Sequence, residues 1–172
     1  MAVKSLIETV TVGAGGAASI EFAAIPQAGS DLVCLVSLRT NKASGNPDAI
    51  EFQFNSDTAG NYTTLWLEGT GSAVASASTT TTRGYAEHLA QHSAYTSNTF
   101  GNTSIYVSNY ASASAKSISV DGVTENNAAG SYQEIAASLW NNTSAITSIK
   151  IYSGGSTLLQ YSTASLYKIK YD

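Results

Sequence analysis

The chain has 172 residues, of which 12 % are charged, and its formal net charge is -4. Soluble proteins carry about 25 % charged residues on average, so hydroxyl and amide groups must supply much of this surface, and copies of it repel one another only weakly. The length predicts one domain over residues 1–172. The 8 basic residues are scattered, which argues against a nucleic-acid partner.

The chain has one cysteine, Cys34, which lies in an apolar run and cannot form an internal disulfide. We interpret it as a buried small hydrophobic residue. The first residues contain no apolar core of signal-peptide length, and no stretch of about 18 consecutive apolar residues occurs. We therefore expect synthesis and folding in a cytoplasm and no membrane partner.

The first third of the chain predicts short strands separated by turns. Alternation predicts a strand over Ser5–Val12, a turn at Gly13–Gly16, and a hairpin partner for that strand over Ala18–Ala23. Pro26 ends the pairing because it has no N–H to donate. Asp31–Thr40 is the most apolar run, and it predicts a strand buried on both faces, with a short buried helix as the alternative.

The next segment predicts a second hairpin. Ile50–Asn55 alternates cleanly, Asn55–Asn61 has turn composition, and Tyr62–Glu68 is expected to be the return strand. On that return strand Trp66 lies on the opposite face from the leucines. One of the two faces therefore carries large apolar side chains outside the main core unless both faces are covered.

Two segments in the middle of the chain have weaker patterns. Residues 69–82 form a low-complexity tract of Gly, Ser, Ala and Thr, which predicts a long loop. In Arg83–Ser93 a near-helical spacing of apolar residues competes with a strand. We expect a strand there, because the rest of the chain is β.

The most regular stretch of the sequence is Asn98–Asn127. Side chains alternate from Ile105 to Tyr110 and again over Ser117–Val120, which predicts two strands in the middle of a sheet. Gly154–Gly155 predicts a hairpin turn. Further strands are expected over Ser131–Asn141, Ala145–Tyr152 and Thr163–Tyr171.

These patterns amount to ten or eleven short strands, with no helix long enough to cover a sheet. The apolar faces must then pack against one another. The sequence therefore predicts an all-β fold, an antiparallel β-sandwich of about ten strands in a jelly-roll-like or related order.

No group of residues has the spacing of a catalytic or metal site. His88 and His92 stand four apart, but Glu87 precedes the first histidine whereas the zinc-protease pattern needs a glutamate after it, so a pair of surface histidines is preferred. The turn Asn55–Asn61 offers oxygens of the kind calcium prefers but lacks the terminal bidentate glutamate, so a hairpin turn is preferred. We predict no catalytic residue, no cofactor, no metal and no enzymatic activity.

Aromatic residues are the remaining candidates for a binding surface. The chain has 10 tyrosines and 4 phenylalanines, and amphipathic rings are common at protein interfaces and at sugar-binding surfaces. The alternative for about half of them is a place in the core or in a cross-strand pair. The candidate partner or glycan surface consists of Tyr62, Trp66, Tyr95, Tyr106 and Tyr110.

A resemblance rests on turn-and-strand signals along nearly the whole chain. They lie in Ala17–Thr40, Phe54–Tyr62, Asn98–Asn102, Val120–Asn127 and Ser162–Ile169. In these stretches the chain resembles small virion structural proteins and fibre-type domains of tailed bacteriophages, particularly those of marine and cyanobacterial hosts. The resemblance implies an accessory β-sandwich on the virion, made in the host cytoplasm, with no catalytic residues.

The resemblance leaves two placements open. The preferred one is a capsid decoration or cement protein on the outer surface of the assembled head, because the chain has no fibre shaft. Its partner would be the major capsid protein lattice, with self-association as a dimer or trimer. The N-terminal strand is available for pairing with a neighbour, and strand addition at an open sheet edge is the expected docking mode. The alternative is a tail-fibre or head-fibre domain that binds a host receptor or surface glycan.

Overall fold

A computed structural model describes residues 1–127 and 130–171. Within these ranges the chain forms thirteen strands, rather than about ten, and no helix. The strands are β1 (Ala2–Thr11), β2 (Ser19–Phe22), β3 (Asp31–Ser37), β4 (Arg39–Thr40), β5 (Asp48–Phe54), β6 (Tyr62–Gly69), β7 (Val74–Thr81), β8 (Gly84–His92), β9 (Asn102–Val107), β10 (Lys116–Thr124), β11 (Tyr132–Trp140), β12 (Ile149–Tyr152) and β13 (Thr163–Tyr171).

The strands form two sheets. The larger has eight strands in the order β1-β13-β3-β9-β10-β11-β6-β7, and all of its pairs are antiparallel. The smaller has five strands in the order β2-β12-β5-β8-β4, and its β4–β8 pair is parallel. Strand β8 of the smaller sheet packs on β11, β10 and β6 of the larger. The expected all-β sandwich is confirmed.

The core lies between the sheets and is built by period-two alternation. In β10 the side chains of Ile118 and Val120 are buried while Ser117 and Ser119 face solvent, as expected for a strand with one buried face. The same core contains four aromatic rings that pack together at centroid distances of 5.5 to 6.3 Å. They belong to Phe52, Phe54, Tyr62 and Trp140.

Several strand predictions are confirmed. Strands β9 and β10 pair with each other in the middle of the larger sheet, as the alternation in Asn98–Asn127 predicts. Arg83–Ser93 contains strand β8 and not a helix. Asp31–Thr40 is extended and almost wholly buried, but after Leu38 the chain leaves the larger sheet and β4 pairs in the smaller one. Gly154–Gly155 forms a tight turn between Ser153 and Ser156, without joining two long paired strands.

Both of the hairpins predicted between Ser5 and Glu68 are wrong. Strand β2 pairs with β12 and not with β1, while β5 pairs with β12 and β8 and not with β6. In each case consecutive strands belong to different sheets. At the turn after β5, Asn55 and Ser56 have positive φ values of 53° and 55°, which carry the chain from one layer to the other instead of back along the same sheet.

The loop predicted over residues 69–82 is also wrong. Val74–Thr81 forms strand β7, which pairs with β6 in unbroken register from Tyr62↔Thr81 to Gly69↔Val74. Six of its eight residues are exposed, on both faces. A strand that buries neither face needs no hydrophobic alternation, so the pattern that identifies other strands is missing here.

Candidate functional site

Two of the five aromatic candidates lie in the core. Tyr62 and Tyr110 are both 0 % exposed, so the prediction that they form a partner or glycan surface is wrong. The Tyr62 hydroxyl accepts a hydrogen bond from the Phe54 N–H at 2.9 Å. The Tyr110 hydroxyl donates to the Pro26 carbonyl oxygen. Both rings are therefore anchored between the layers by their polar ends.

The other three aromatic candidates are partly buried and lie in separate places. Trp66 points between the sheets, where its ring packs on Tyr85 at 5.6 Å. Tyr95 stacks on His92 at 4.1 Å. Tyr106 lies on the outer face of the larger sheet, and its hydroxyl donates to Asp31 Oδ2 at 2.5 Å. The structure does not bring the five together into one patch.

An apolar surface does exist, on the outer face of β6, β7 and β11. Cross-strand register places Leu67 beside Ile135, Leu65 beside Ala137 and Val74 beside Gly69. A shallow groove runs between Leu67, Val74 and Ile135. We name this surface the outer apolar patch; its members are 38 % to 76 % exposed and are Leu65, Leu67, Val74, Ile135 and Leu139. The leucines thus form the uncovered face of β6, and Trp66 the covered one.

Strand β7 borders the outer apolar patch and is an edge strand. Its sequence, VASASTTT, contains no charged residue and no proline, and its pairing with β6 has no bulge. The other edge of the same sheet, β1, carries Lys4 and Glu8 and has a register shift between Leu6 and Glu8. Charges, bulges and short length are the usual protections of an exposed edge. Strand β7 has none of them, whereas the edges of the smaller sheet, β2 and β4, are short.

Between the sheets, a buried carboxylate supports a bulge in β8. Three residues of β5, from Asp48 to Ile50, lie opposite five of β8, from Ala86 to Ala90. The N–H of Glu87 donates to both Glu134 oxygens at 2.9 and 3.0 Å, and the N–H of His88 donates to Oε2 at 3.1 Å. Glu134 is 1 % exposed. Its carboxylate therefore satisfies backbone donors that the bulge removes from the ladder.

Glu134 belongs to a cluster of three ionisable side chains. Glu68 lies directly opposite it across the β6–β11 pair, and Glu68 Oε2 is 2.7 Å from His88 Nδ1. Burial raises the pKa of Glu134, the two backbone hydrogen bonds oppose this rise, and the charge of Glu68 adds to it. One ligand atom from each of the three residues lies within 4.8 Å of the other two.

The two histidines are not a surface pair, so that prediction is wrong. His92 is 1 % exposed and its Nε2 lies 2.9 Å from the Gly45 carbonyl oxygen. His88 faces the two glutamates instead. The sequence contained one signal of this cluster, because Glu134 occupies the same face of its strand as Ala136 and Trp140. An acid on an apolar face indicates a buried partner.

At the turn after β5, the carboxylate of Asp57 accepts hydrogen bonds from side-chain and backbone groups of the protein. Asp57 accepts hydrogen bonds from Trp140 Nε1 and Asn61 Nδ2, both at 2.8 Å, and from the Ala59 N–H at 2.9 Å. The Asp57 carboxylate therefore holds the turn against Trp140 of β11. The turn preferred from the sequence is present, although it joins two sheets rather than two strands of a hairpin.

Comparisons with models of protein families, with curated proteins and with solved structures found no match for this chain. Among the described residues, no helix is long and apolar enough to cross a membrane.

Proposed function

We propose that this chain is a structural protein of a bacteriophage virion, which decorates the outer surface of the assembled head and catalyses no reaction. The sequence resemblance to phage virion proteins supplies the context. The observation that carries the docking mode is the unprotected edge of β7 beside the outer apolar patch. A strand of the capsid protein adds to this edge, and its apolar side chains cover the patch.

The strength of one such contact is modest. Fully burying a valine, leucine or isoleucine side chain contributes about 1.5–3 kcal/mol. The members of the outer apolar patch are already partly buried, so covering all of them contributes on the order of 5 kcal/mol. Association itself costs about 4–15 kcal/mol. A single docked copy is therefore weakly held, and the backbone hydrogen bonds of the added strand must supply the remainder.

A capsid lattice compensates for the weakness of a single contact because it offers the same contact many times. Self-association of the chain as a dimer or trimer lets one unit engage several lattice positions, so the second contact forms at a high effective concentration. A protein that binds the assembled lattice but not free subunits shifts the equilibrium away from disassembly. The low charge density of the chain permits such close packing between neighbours.

The fibre-type alternative, binding to a host receptor or surface glycan, has less support from the geometry. Stacking on a sugar needs exposed aromatic faces close together. Tyr62 and Tyr110 are in the core, and the remaining candidates are partly buried and separated.

The test is reconstitution on heads of the phage that encodes the chain, prepared without the chain. We expect the purified protein to co-sediment with these heads in roughly tens to hundreds of copies per particle, consistent with a repeating lattice. Val74→Lys should reduce the bound number at least tenfold, because it places a charge at the β7 edge. Val3→Lys, on the β1 edge of the same sheet, is the matched control and should bind normally.

Two results would count against the proposal. A wild-type chain that does not sediment with heads removes the decoration role, and a few copies per particle place the chain on a fibre instead. Equal binding of the two lysine variants, with both folded by circular dichroism, would leave head binding in place but exclude docking through β7.

A further inference from the structure

Three side chains from three strands converge between the two sheets. Glu68 comes from β6 and Glu134 from β11 in the larger sheet, and His88 comes from β8 in the smaller one. We propose that these residues form a binding site for Zn²⁺, and that the bound cation links the two layers. This site is independent of the head-docking surface, which lies on the outer face.

The distances are close to those of a zinc site. Glu68 Oε2 and His88 Nδ1 are 2.7 Å apart, and the ligand atoms of all three residues lie within 4.8 Å of one another. Zinc bonds to nitrogen and oxygen are about 2.0–2.2 Å long, so a tetrahedral ion keeps its ligands about 3.3 Å apart. Because the N–H groups of Glu87 and His88 hold the Glu134 carboxylate, a bound ion requires Glu68 Oε2 and His88 Nδ1 to move apart from their present contact.

The ligand types select the ion. One imidazole nitrogen and two carboxylate oxygens leave the fourth position of a tetrahedral Zn²⁺ to water. Calcium takes six to eight oxygen ligands, and magnesium prefers an octahedral oxygen shell. The site contains no thiolate, which soft Cu⁺ requires. Zinc therefore matches both the number and the chemistry of the side chains present.

Charge supplies a second, independent reason for a cation. Glu68 and Glu134 occupy directly opposed positions of one strand pair and face the same interior space. In the described part of the chain neither of them pairs with a lysine or an arginine; His88 is the only basic side chain in contact. Two facing carboxylates with one imidazole leave an excess of negative charge, which is unfavourable away from water. A dication removes that excess.

Neighbouring groups hold the ligands in place without the ion. The N–H groups of Glu87 and His88 fix the Glu134 carboxylate, and the ring of Tyr132 stacks on His88 at 4.3 Å. Nδ2 of Asn46 is 3.3 Å from His88 Nε2. When Nδ1 binds the metal, Nε2 carries the proton and the Asn46 amide presents its oxygen, which is the usual outer-shell arrangement of a ligating histidine. The side chains of Glu68 and His88 are 14 % and 13 % exposed, which leaves a path from solvent.

The experiment is a titration of the full chain after removal of metals by a chelator and dialysis. We expect calorimetry to give one Zn²⁺ per chain, and saturating Zn²⁺ to raise Tm by roughly 5–10 °C, the shift expected for a ligand at about 100 times its Kd. Mg²⁺ and Ca²⁺ at the same concentration should leave Tm unchanged. Co²⁺ should give the visible absorption of a tetrahedral complex.

Variants separate this site from adventitious surface binding. Glu68→Gln and His88→Gln should each weaken Zn²⁺ binding at least tenfold, whereas Glu8→Gln, which removes an exposed acid on β1, should not change it. Glu134→Gln also disturbs the bulge, so it is used only if its circular dichroism spectrum is native. The proposal is overturned if the wild-type chain binds no Zn²⁺, or if all of the variants bind it as the wild type does.

Discussion

At the scale of single residues, Asp57 connects the turn after β5 to the larger sheet. Its carboxylate receives N–H groups from Trp140 in β11 and from Asn61 and Ala59 in the turn. Burial by itself would raise the pKa of Asp57, but these hydrogen bonds outweigh it and hold the pKa below its ordinary value. A carboxylate whose pKa is lowered by folding stabilises the fold only while it is ionised.

We predict that Asp57→Ala lowers the free energy of unfolding by about 1–3 kcal/mol at neutral pH, because the indole N–H of Trp140 loses its acceptor inside the protein. The contribution of Asp57 is fully present above the unfolded pKa of about 3.9 and disappears as pH falls through the lower folded value. The difference between wild type and variant should therefore shrink in strongly acidic solution. Urea unfolding followed by tryptophan fluorescence at both pH values measures it.

A matched control is Asp121→Ala, since Asp121 is exposed on the outer face of β10. We expect this change to alter stability by no more than about 0.5 kcal/mol at either pH. If both variants behave alike, the Asp57 hydrogen bonds do not stabilise the turn.

The role of a residue could be predicted from the sequence only where its immediate neighbours in the chain determine that role. The apolar setting of Cys34 identified it as buried, and its burial is confirmed. The Glu68–His88–Glu134 cluster could not be found in this way, because its members are 20 and 46 residues apart along the chain. Their contact depends on how the two sheets are stacked, which no local pattern contains. The same limit applies to Tyr62 and Tyr110, whose rings look equally suited to a surface or a core.

At the scale of elements, the bulge in β8 is shaped by a neighbouring glycine. A Cβ atom at Gly101 would lie 1.9 Å from the Leu89 carbonyl oxygen, and the Gly101 N–H donates to the Leu38 carbonyl oxygen at 3.0 Å. The backbone before β9 therefore passes directly against β8, and only a residue without a side chain permits this approach.

We predict that Gly101→Ala destabilises the protein by roughly 3 kcal/mol, at the upper end of the usual cost of overpacking, because the obstacle is backbone and cannot rotate away. Gly60→Ala is the control, since nothing lies within 4 Å of a Cβ at that position, and it should stay within about 0.5 kcal/mol of wild type. Thermal unfolding of both proteins measures the difference. Equal Tm values would show that β8 and the segment before β9 move apart at little cost.

Elements were predictable from sequence wherever one face of a strand is buried and the other is wet. Strands β10 and β11 alternate in this way, and both were predicted. Strand β7 was missed because it buries neither face. The pairing of β2 and β5 was wrong because proximity in sequence favours a hairpin, whereas here the chain changes sheets at the connecting turns.

At the scale of the whole molecule, Cys34 lies on β3, an interior strand of the larger sheet. The reactivity of its thiol can therefore show whether the fold unfolds in one cooperative step. Burial raises the pKa of its thiol to about 12, and the side chain is 2 % exposed. Only the thiolate is an effective nucleophile. The native protein therefore presents no reactive cysteine at neutral or mildly alkaline pH.

We predict that a thiol reagent fails to label native protein, and that labelling appears at the same urea concentration as the change in tryptophan fluorescence. Cys34 lies on β3, which β9 and β10 separate from β11 and β6, the strands of Trp140 and Trp66. Coincident transitions are therefore expected for one cooperative core. Fully unfolded protein, which should label at once, is the control. Labelling well before the fluorescence change would mean that part of the sandwich opens independently.

The all-β class could be predicted from the sequence as a whole, because apolar faces without covering helices can only stack on each other. The division into eight and five strands could not, since it depends on which turns carry the chain between layers. For the outer apolar patch, the sequence showed only that Trp66 and the leucines lie on opposite faces of one strand, without showing which face is covered. In the structure the indole of Trp66 points inward and the leucines are exposed.

Strand β7 is expected to open locally more readily than the central strands of its sheet. This strand is held by one ladder of backbone hydrogen bonds to β6, and most of its side chains are exposed. Segments with so few buried contacts open at a much lower free energy than the global transition. Its amide hydrogens should thus exchange before those of β9 and β10, and a docked strand would slow that exchange by giving β7 a second neighbour.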